Sequence, residues 1–134
     1  MDAERIAIAR RCLDGAHDGS LDFPRIVGEL VAAGFEGYAV DYRRNNQIYY
    51  LPDGDSVALN LPASPGGVAD AFDARAIAML IRWAQINGPD YSYTAFCEKV
   101  KAAGCAGYLV SFVGRRVVYY GRTAEIHIEH FPGR

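Results

Sequence analysis

The spacing of apolar residues along the chain changes from a helical to a strand-like pattern, and it does so twice. In each half, two segments carry apolar residues three or four positions apart, which is typical of helices with one buried side. Three short segments rich in tyrosine, valine and isoleucine follow, and these residue types favour strands. The pattern predicts helices over residues 3–14 and 74–86, helices from residues 23 and 93 up to the glycines at 34 and 104, and strands over residues 38–42, 48–51, 57–61, 108–113, 117–120 and 126–129.

Capping residues mark the ends of these helices. A side-chain oxygen just before a helix accepts an orphan backbone N–H, and four residues have this position: Asp2, Asp22, Asp73 and Ser92. Gly34 and Gly104 follow the second helix of each half, where glycine adopts the left-handed conformation at little cost. We expect the first helix to end before Gly15.

The second half of the chain repeats the first, and the offset is constant from Phe23/Tyr93 to Tyr50/Tyr120. Residues 32–40 return as residues 102–110, and the pair Tyr49-Tyr50 returns as Tyr119-Tyr120, so the offset is 104 − 34 = 70. We predict an α+β fold made by internal duplication of an ααβββ unit, with helices packed on one mainly antiparallel sheet and related by a pseudo-twofold axis. The alternative is two small sheets packed through the helices. Residues 1–134 are expected to form a single domain, with repeats over about 2–61 and 73–131 and a connector over 62–72.

Composition and charge narrow the function classes. The 134 residues are 51% hydrophobic and 22% charged, with a net charge of −2, which argues against a dedicated nucleic-acid-binding protein. No apolar run approaches the length needed to span a bilayer, and the first residues lack the pattern of a signal peptide. We therefore expect a cytoplasmic protein without a membrane partner.

The internal comparison assigns the cysteines to packing. Cys12, Cys97 and Cys105 occupy positions where the other half has Trp83, Val27 and Phe35, so we predict three buried apolar sites. On a strand, His127 and Glu129 share one face and His130 the other, which is unsuited to a three-ligand metal site. We expect neither a metal nor a cofactor, and we expect His17 to be solvated.

The polar pair His127 and Glu129 occurs in one half only, since the first half has Ala58 and Asn60 at these positions. One interpretation is an exposed ion pair on a solvated strand. The other is a pocket near Tyr120 and Arg122, in which the histidine titrates close to neutral pH.

Adjacent tyrosines point to opposite sides of a strand. One member of each Tyr-Tyr pair is therefore expected to face the helices, and the other to face solvent, a ligand or a subunit. The arginine pairs 43–44 and 115–116 lie at the predicted hairpin tips. Either these arginines are solvated at the ends of the turns, or their four guanidinium groups lie together and bind phosphate. The apolar helix over residues 74–86 is either enclosed on several sides or a dimer contact.

Three segments resemble a known family: Ala32-Ala33-Gly34 to Asp41-Tyr42-Arg43-Arg44, Gly114-Arg115-Arg116 to Tyr120-Gly121-Arg122, and Glu125-Ile126-His127 to Phe131-Pro132-Gly133. On these motifs the chain is similar, over almost its whole length, to the YdfO/YbcV-like family of small bacterial proteins of unknown function, some of them carried by prophages. The resemblance implies a duplicated α+β domain. It brings no established catalytic residues.

The sequence thus favours a non-catalytic binding or interaction module that forms a homodimer. We expect its binding surface on the outward face of the sheet or in the groove between the halves, near Tyr50, Tyr120, Arg122, His127 and Glu129. The partner there is a small molecule or a protein. One alternative is a small enzyme that uses His127 and Glu129 for acid–base chemistry. A second is an accessory protein that binds single-stranded nucleic acid through tyrosines and arginines.

Overall fold

The computed structural model describes residues 1–132, so Gly133 of the last motif lies outside the described residues. The chain has a mixed α+β fold in the predicted order of elements. The helices are α1 (Ala3–Asp18), α2 (Phe23–Ala32), α3 (Ala74–Ile86) and α4 (Tyr93–Ala102). The strands are β1 (Gly37–Asp41), β2 (Asn46–Tyr50), β3 (Ser56–Asn60), β4 (Cys105–Ser111), β5 (Arg116–Gly121) and β6 (Ile126–His130).

All six strands belong to one sheet, in the order β3-β2-β1-β4-β5-β6, and every neighbouring pair is antiparallel. The central pair joins the two halves, because Ala39 of β1 lies opposite Leu109 of β4. The prediction of one shared sheet is therefore confirmed, and the alternative of two small sheets is wrong.

The helices cover one face of the sheet and form the core with it. The strand side chains on that face are buried: Tyr38, Val40, Tyr49, Leu59, Tyr108, Val110, Val117 and Tyr119. Leu30 of α2, Ile77 of α3 and Val100 of α4 are fully enclosed against them. One face of every strand thus packs on the helices, and the opposite face has no helix over it.

The four predicted N-caps are confirmed. The carboxylates of Asp2, Asp22 and Asp73 each accept the backbone N–H three residues later, at 2.9 to 3.0 Å. The Ser92 hydroxyl accepts in the same way at 3.1 Å. Gly34 and Gly104 have φ angles of 95° and 92°, as expected for left-handed residues after a helix.

The predicted end of α1 at Gly15 is wrong. The helix continues to Asp18, and Gly19, with φ of 83°, takes the left-handed position. Gly15 serves a different purpose, because a Cβ placed there would lie 2.6 Å from Leu21 Cδ1. The glycine therefore allows the chain after α1 to pack closely against the helix.

Helix α3 is not enclosed on several sides. Ile77 and Ile81 are buried, whereas Met79 is 64% exposed and Ile86 is 78% exposed. Several of its apolar residues are alanines. Because alanine has little surface to bury, it is a weak sign that a helix face is buried. The prediction that this helix is central is wrong, and its role as a dimer contact stays a prediction.

Candidate functional site

The strand face away from the helices, hereafter the open face, carries three rows of side chains across the sheet. The register places one apolar residue from each strand in the middle row, hereafter the apolar row: Ala58, Ile48, Ala39, Leu109, Val118 and Ile128. Each member lies directly opposite the next on the neighbouring strand, so the row is continuous over the full width of the sheet.

The apolar row reaches solvent most clearly in its second half. Leu109 is 46% exposed and Ile128 is 39% exposed, and Ile126 beside the row is 55% exposed. Large exposed apolar side chains are common singly on proteins, but a contiguous set indicates an interaction surface. The open face therefore presents apolar surface from the central strand β4 to the edge strand β6.

The apolar row has a row of greater polarity on each side. One contains Ser56, Tyr50, Gly37, Ser111, Arg116 and His130, and the other contains Asn60, Asn46, Asp41, Gly107, Tyr120 and Ile126. Asp41, Arg116 and His130 are the ionisable residues of these rows other than the two tyrosines. An apolar centre with a polar border is the usual composition of a protein interface.

The outward tyrosines are Tyr50 and Tyr120, as predicted, while Tyr49 and Tyr119 are buried against the helices. The Tyr120 ring lies over Gly107, where a Cβ would collide with the Tyr120 hydroxyl. Burial and the nearby Asp41 carboxylate raise the pKa of Tyr120. The Tyr120 ring thus lies close against the sheet, beside the apolar row.

His127 and Glu129 lie on the other face of the sheet. His127 is opposite Tyr119 and Glu129 is opposite Val117, both of which face the helices. The His127 Nε2 to Glu129 Oε2 distance is 2.9 Å, so the two side chains bond each other at the edge of the core. The structure therefore does not bring them together with Tyr50 and Tyr120 on one surface. Strand parity placed His127 and Glu129 together correctly, but it could not tell which face the helices cover. The expected match of this pair with Ala58 and Asn60 is wrong. His127 and Glu129 lie opposite Tyr119 and Val117, as Val57 and Leu59 lie opposite Tyr49 and Gln47 in the first half.

The predicted arginine residues are also separated. Arg122 Nη1 donates to the Val68 carbonyl at 3.3 Å, which holds this side chain against the connector. The arginine pair 43–44 lies in the turn that follows β1, and Arg115 and Arg116 lie at the end of the turn after β4 and the start of β5. Strands β1 and β4 are antiparallel. The two pairs are consequently at opposite ends of the sheet, and a four-arginine phosphate grip is wrong.

All three cysteines are buried free thiols, as predicted. Burial raises the pKa of Cys12 to about 11 and that of Cys105 to about 12. The pKa of Cys97 is raised for the same reason. These thiols are protonated at neutral pH and are not activated nucleophiles.

A small polar cavity, not predicted from the sequence, lies between the end of α1, the residues after β3 and the exposed start of α4. It is partly open to solvent and has a volume of about 20 Å³, and its lining combines apolar residues with the polar residues His17, Tyr42, Asn45, Ser64, Thr94 and Lys101. His17 was expected in solvent, but α1 extends far enough to bury its Nε2 atom. The comparison of the two halves contained a signal for this cavity. Tyr42 and Lys101 are polar at positions where the other half, seventy residues away, has the apolar residues Phe112 and Val31.

A second concavity is a shallow groove between α1 and α2 that includes Arg5, Arg11 and Glu29. Neither this groove nor the polar cavity is lined by His127 or Glu129. Among residues 1–132, no three side chains of the metal-ligating types lie close enough to hold a metal ion together.

Comparison with known protein families and with curated proteins finds no match for this chain. The resemblance to the YdfO/YbcV-like family therefore stays a prediction from the quoted motifs. Within the described part of the chain, no helix is both long and apolar enough to cross a membrane.

Proposed function

We propose that the protein is a non-catalytic interaction module whose open face binds a second copy of the same chain. The observation that carries the proposal is the apolar row, which crosses all six strands in register and is partly exposed. A sheet with one solvated face normally alternates apolar and polar residues. Six apolar residues in line on the solvent side depart from that pattern and favour a covered face.

The layout of the open face suits a symmetric partner. An isologous dimer requires a patch that is complementary to itself. A continuous apolar row with a polar border on each side meets this condition. A twofold axis that runs parallel to the row, between two facing sheets, places the apolar row of one copy against the apolar row of the other. The low density of charge supports the same pairing, since few like charges would face each other.

The size of the face is sufficient for a small dimer. Six strands about 4.8 Å apart, each of about five residues at about 3.3 Å, give a projected area of roughly 480 Å². Two such faces bury roughly 1,000 Å², which is the lower limit for a specific interface. We therefore expect a dimer that forms in a concentration-dependent way.

The test compares a charge at the centre of the face with the same charge elsewhere. Leu109→Lys places an ammonium in the apolar row, and Met79→Lys places one on exposed α3. Burying the exposed half of Leu109 contributes about 1 kcal/mol per copy, so losing it twice weakens dimerisation at least about 30-fold. Light scattering measures the mass, and circular dichroism confirms that each variant is folded.

We expect the wild type and Met79→Lys to approach twice 14.7 kDa as concentration rises, and Leu109→Lys to stay near 14.7 kDa. A wild type of 14.7 kDa at all concentrations contradicts the proposal. Dissociation by Met79→Lys but not by Leu109→Lys would assign the contact to α3 instead.

We also propose that the two halves are copies of one ancestral unit related by a pseudo-twofold axis between β1 and β4. The offset of seventy residues, which holds without a gap from Phe23/Tyr93 to Tyr50/Tyr120, and the matched order of elements support this. With this symmetry, the two polar rows exchange and the apolar row maps onto itself. The test is to fold residues 2–61 and 73–131 as separate chains and to superpose their structures.

The enzyme and nucleic-acid alternatives have no specific observation in their favour. His127 and Glu129 bond each other away from both concavities. The hairpin arginines are far apart, and the open face has little positive charge for phosphates. The nucleic-acid alternative is tested with the wild-type protein, since salt-sensitive binding to a labelled oligonucleotide would restore it.

A further inference from the structure

Strand β3 lies at one edge of the sheet, and half of its backbone polar groups point away from the fold. Asp55 and Leu61, which flank β3, bond through their backbones to residues that flank β2, at 2.9 Å each. Since bonding alternates along an antiparallel strand, the N–H and C=O groups that face outward belong to Ser56, Ala58 and Asn60. The Ser56 N–H is bonded to the Asp55 carboxylate at 2.9 Å, so the edge offers two N–H donors and three carbonyl acceptors.

Strand β3 has none of the features that usually keep the edges of two sheets apart. Edge strands of soluble proteins are commonly blocked by a charged side chain, a proline or a bulge. The five residues of β3 are Ser-Val-Ala-Leu-Asn, without a charge or a proline, and their pairing with β2 continues without a shift of register. The edge formed by β3 is therefore able to accept another strand.

The opposite edge of the sheet, strand β6, is protected. Its side towards the helices carries His127 and Glu129, which bond each other and whose side chains are 24% and 32% exposed. A strand added beside β6 would remove this polar pair from water, which is costly. On the same side of β3 the residues are Val57 and Leu59, so a strand added there has apolar neighbours. The two edges of one sheet thus differ in what they allow.

A second β3 strand matches this edge when it runs antiparallel and is centred on Ala58. In that register Ala58 lies opposite its own counterpart, and Ser56 lies opposite Asn60. The Ala58 N–H of each strand then donates to the Ala58 carbonyl of the other, and the Asn60 N–H donates to the Ser56 carbonyl. Two donors from each copy give four hydrogen bonds, and the bond between Ser56 and Asp55 is kept.

The side chains are complementary in the same register. On the side towards the helices, Val57 lies opposite Leu59, which continues the apolar layer from one copy to the next. Asp55 lies opposite Leu61, so the carboxylates of the two copies are at opposite ends of the contact and do not repel each other. On the open face, Ala58 lies opposite Ala58, and the apolar row becomes continuous across both sheets.

We propose that the β3 edge pairs with β3 of another copy and joins two open-face dimers into a tetramer. This rests on the proposed open-face dimer, because a twofold axis parallel to the apolar row places two β3 edges side by side. The axis that relates two paired β3 strands runs along the sheet normal, midway between the two Ala58 residues. Since Ala58 belongs to the apolar row, the two axes meet at a right angle and the assembly closes at four copies.

The tetramer forms only from dimers, because one pair of β3 strands is a small contact. Four hydrogen bonds with little buried area do not offset the loss of freedom when two monomers associate. An open-face dimer presents two edges at once, and the second pair forms within the same complex at high effective concentration. We therefore expect tetramers above the concentration at which dimers form, and none when the open face is disrupted.

The first test is amide hydrogen exchange of the wild-type protein, followed by nuclear magnetic resonance at low and high protein concentration. An outward amide on an edge strand exchanges rapidly unless another strand bonds it. We expect exchange of the Ala58 and Asn60 amides to slow about tenfold or more as the tetramer forms. Rapid exchange of both amides at every concentration would overturn the proposal.

Strand β6 supplies the matched control within the same molecule. Glu125 and Phe131, which flank β6, bond through their backbones towards β5 at 2.9 Å, so the Ile126 and Ile128 amides point outward. Ile128 ends the apolar row as Ala58 does, and Ile126 ends the border row that contains Asn60. Burial of the open face therefore affects both edges alike. Slowing at β3 alone supports edge pairing, and equal slowing at both edges would overturn it.

The second test compares masses by analytical ultracentrifugation. Ala58→Pro removes a central donor of the edge and places a ring against the incoming strand, but this N–H does not bond to β2, so the sheet keeps its ladder. His130→Pro removes an outward N–H of β6 and serves as the control. We expect the wild type and His130→Pro to reach four times 14.7 kDa at high concentration, and Ala58→Pro to stop at twice 14.7 kDa.

The outcomes separate this proposal from the open-face dimer. A wild type that stops at two copies overturns the edge contact and leaves the open-face dimer standing. A wild type that stays monomeric overturns both. Tetramers of Ala58→Pro would place the second contact elsewhere and overturn the proposal. Circular dichroism confirms that each variant is folded, and the exchange experiment needs no variant.

Discussion

Gly37 and Gly107 allow the two halves of the sheet to join, and their replacement by alanine should be strongly destabilising. A Cβ on Gly37 would collide with the Val110 carbonyl oxygen, and one on Gly107 with that of Val40. Both obstacles belong to the backbone of the neighbouring central strand, so β1 and β4 must separate locally. Loosening two ladder hydrogen bonds costs about 2 kcal/mol, and repacking strain adds about 1 kcal/mol or more.

Gly28 provides the control of opposite sign. It lies in the middle of α2, and a Cβ there meets no atom within 4 Å. Gly28→Ala should therefore stabilise the protein by about 0.5–1 kcal/mol, because alanine loses less conformational freedom in a helix. The difference between Gly37→Ala and Gly28→Ala is then about 4 kcal/mol.

Urea unfolding followed by circular dichroism measures these differences. For an m-value of about 2 kcal/mol per molar urea, Gly37→Ala should lower the midpoint by about 1.5 M. Gly28→Ala should raise it by a few tenths of a molar unit. A Gly37→Ala midpoint equal to that of the wild type would refute the close approach of β1 and β4 as the reason for this glycine.

Two further predictions concern titratable groups. Cys12, Cys97 and Cys105 should not react with a thiol reagent at neutral pH in the folded protein and should all react in urea, because burial raises their pKa values; rapid labelling of the folded protein would contradict this. Burial lowers the pKa of His17, so below its ordinary value of about 6.5 the unfolded chain takes up a proton that the folded chain resists, and stability falls as the pH decreases from about 7.5 to about 5. Urea midpoints at both pH values should show a smaller fall for His17→Asn, and an equal fall would rule out His17 as a source.

The helix ends were predictable from the sequence because they depend on local chemistry. Asp73 and Ser92 cap the helices that follow them, and Gly34 and Gly104 end the helices before them, as their residue types indicate. Gly15 is the exception. Its role comes from contact with Leu21, and a tertiary contact has no local signature that separates it from a helix stop.

The shared sheet was also predictable, but the face covered by the helices was not. Alternation along β6 showed that His127 and Glu129 share a side, and the register confirms this. Whether that side is inward depends on how β6 pairs with β5, since a shift of one residue reverses every side chain. The apolar row escaped prediction for the same reason, because it exists only once six strands are aligned.

The polar cavity could not be predicted from any one segment. Its lining comes from α1, the hairpin after β1, the connector and α4, which are far apart in the sequence. The comparison of halves gave the only hint, since Tyr42 and Lys101 stand opposite apolar residues in the repeat. The same comparison directed attention to His127 and Glu129, whose polarity the structure explains by their bond to each other.

The most direct test of self-association through the open face is nuclear magnetic resonance on a mixture of isotope-labelled and unlabelled chains. Intermolecular contacts are then observed separately from contacts within one copy. The proposed interface predicts such contacts from the methyl groups of Leu109, Val118 and Ile128, which lie side by side in the apolar row. Contacts from Met79 and Ile86 of α3 instead, or no intermolecular contact at high concentration, would contradict it.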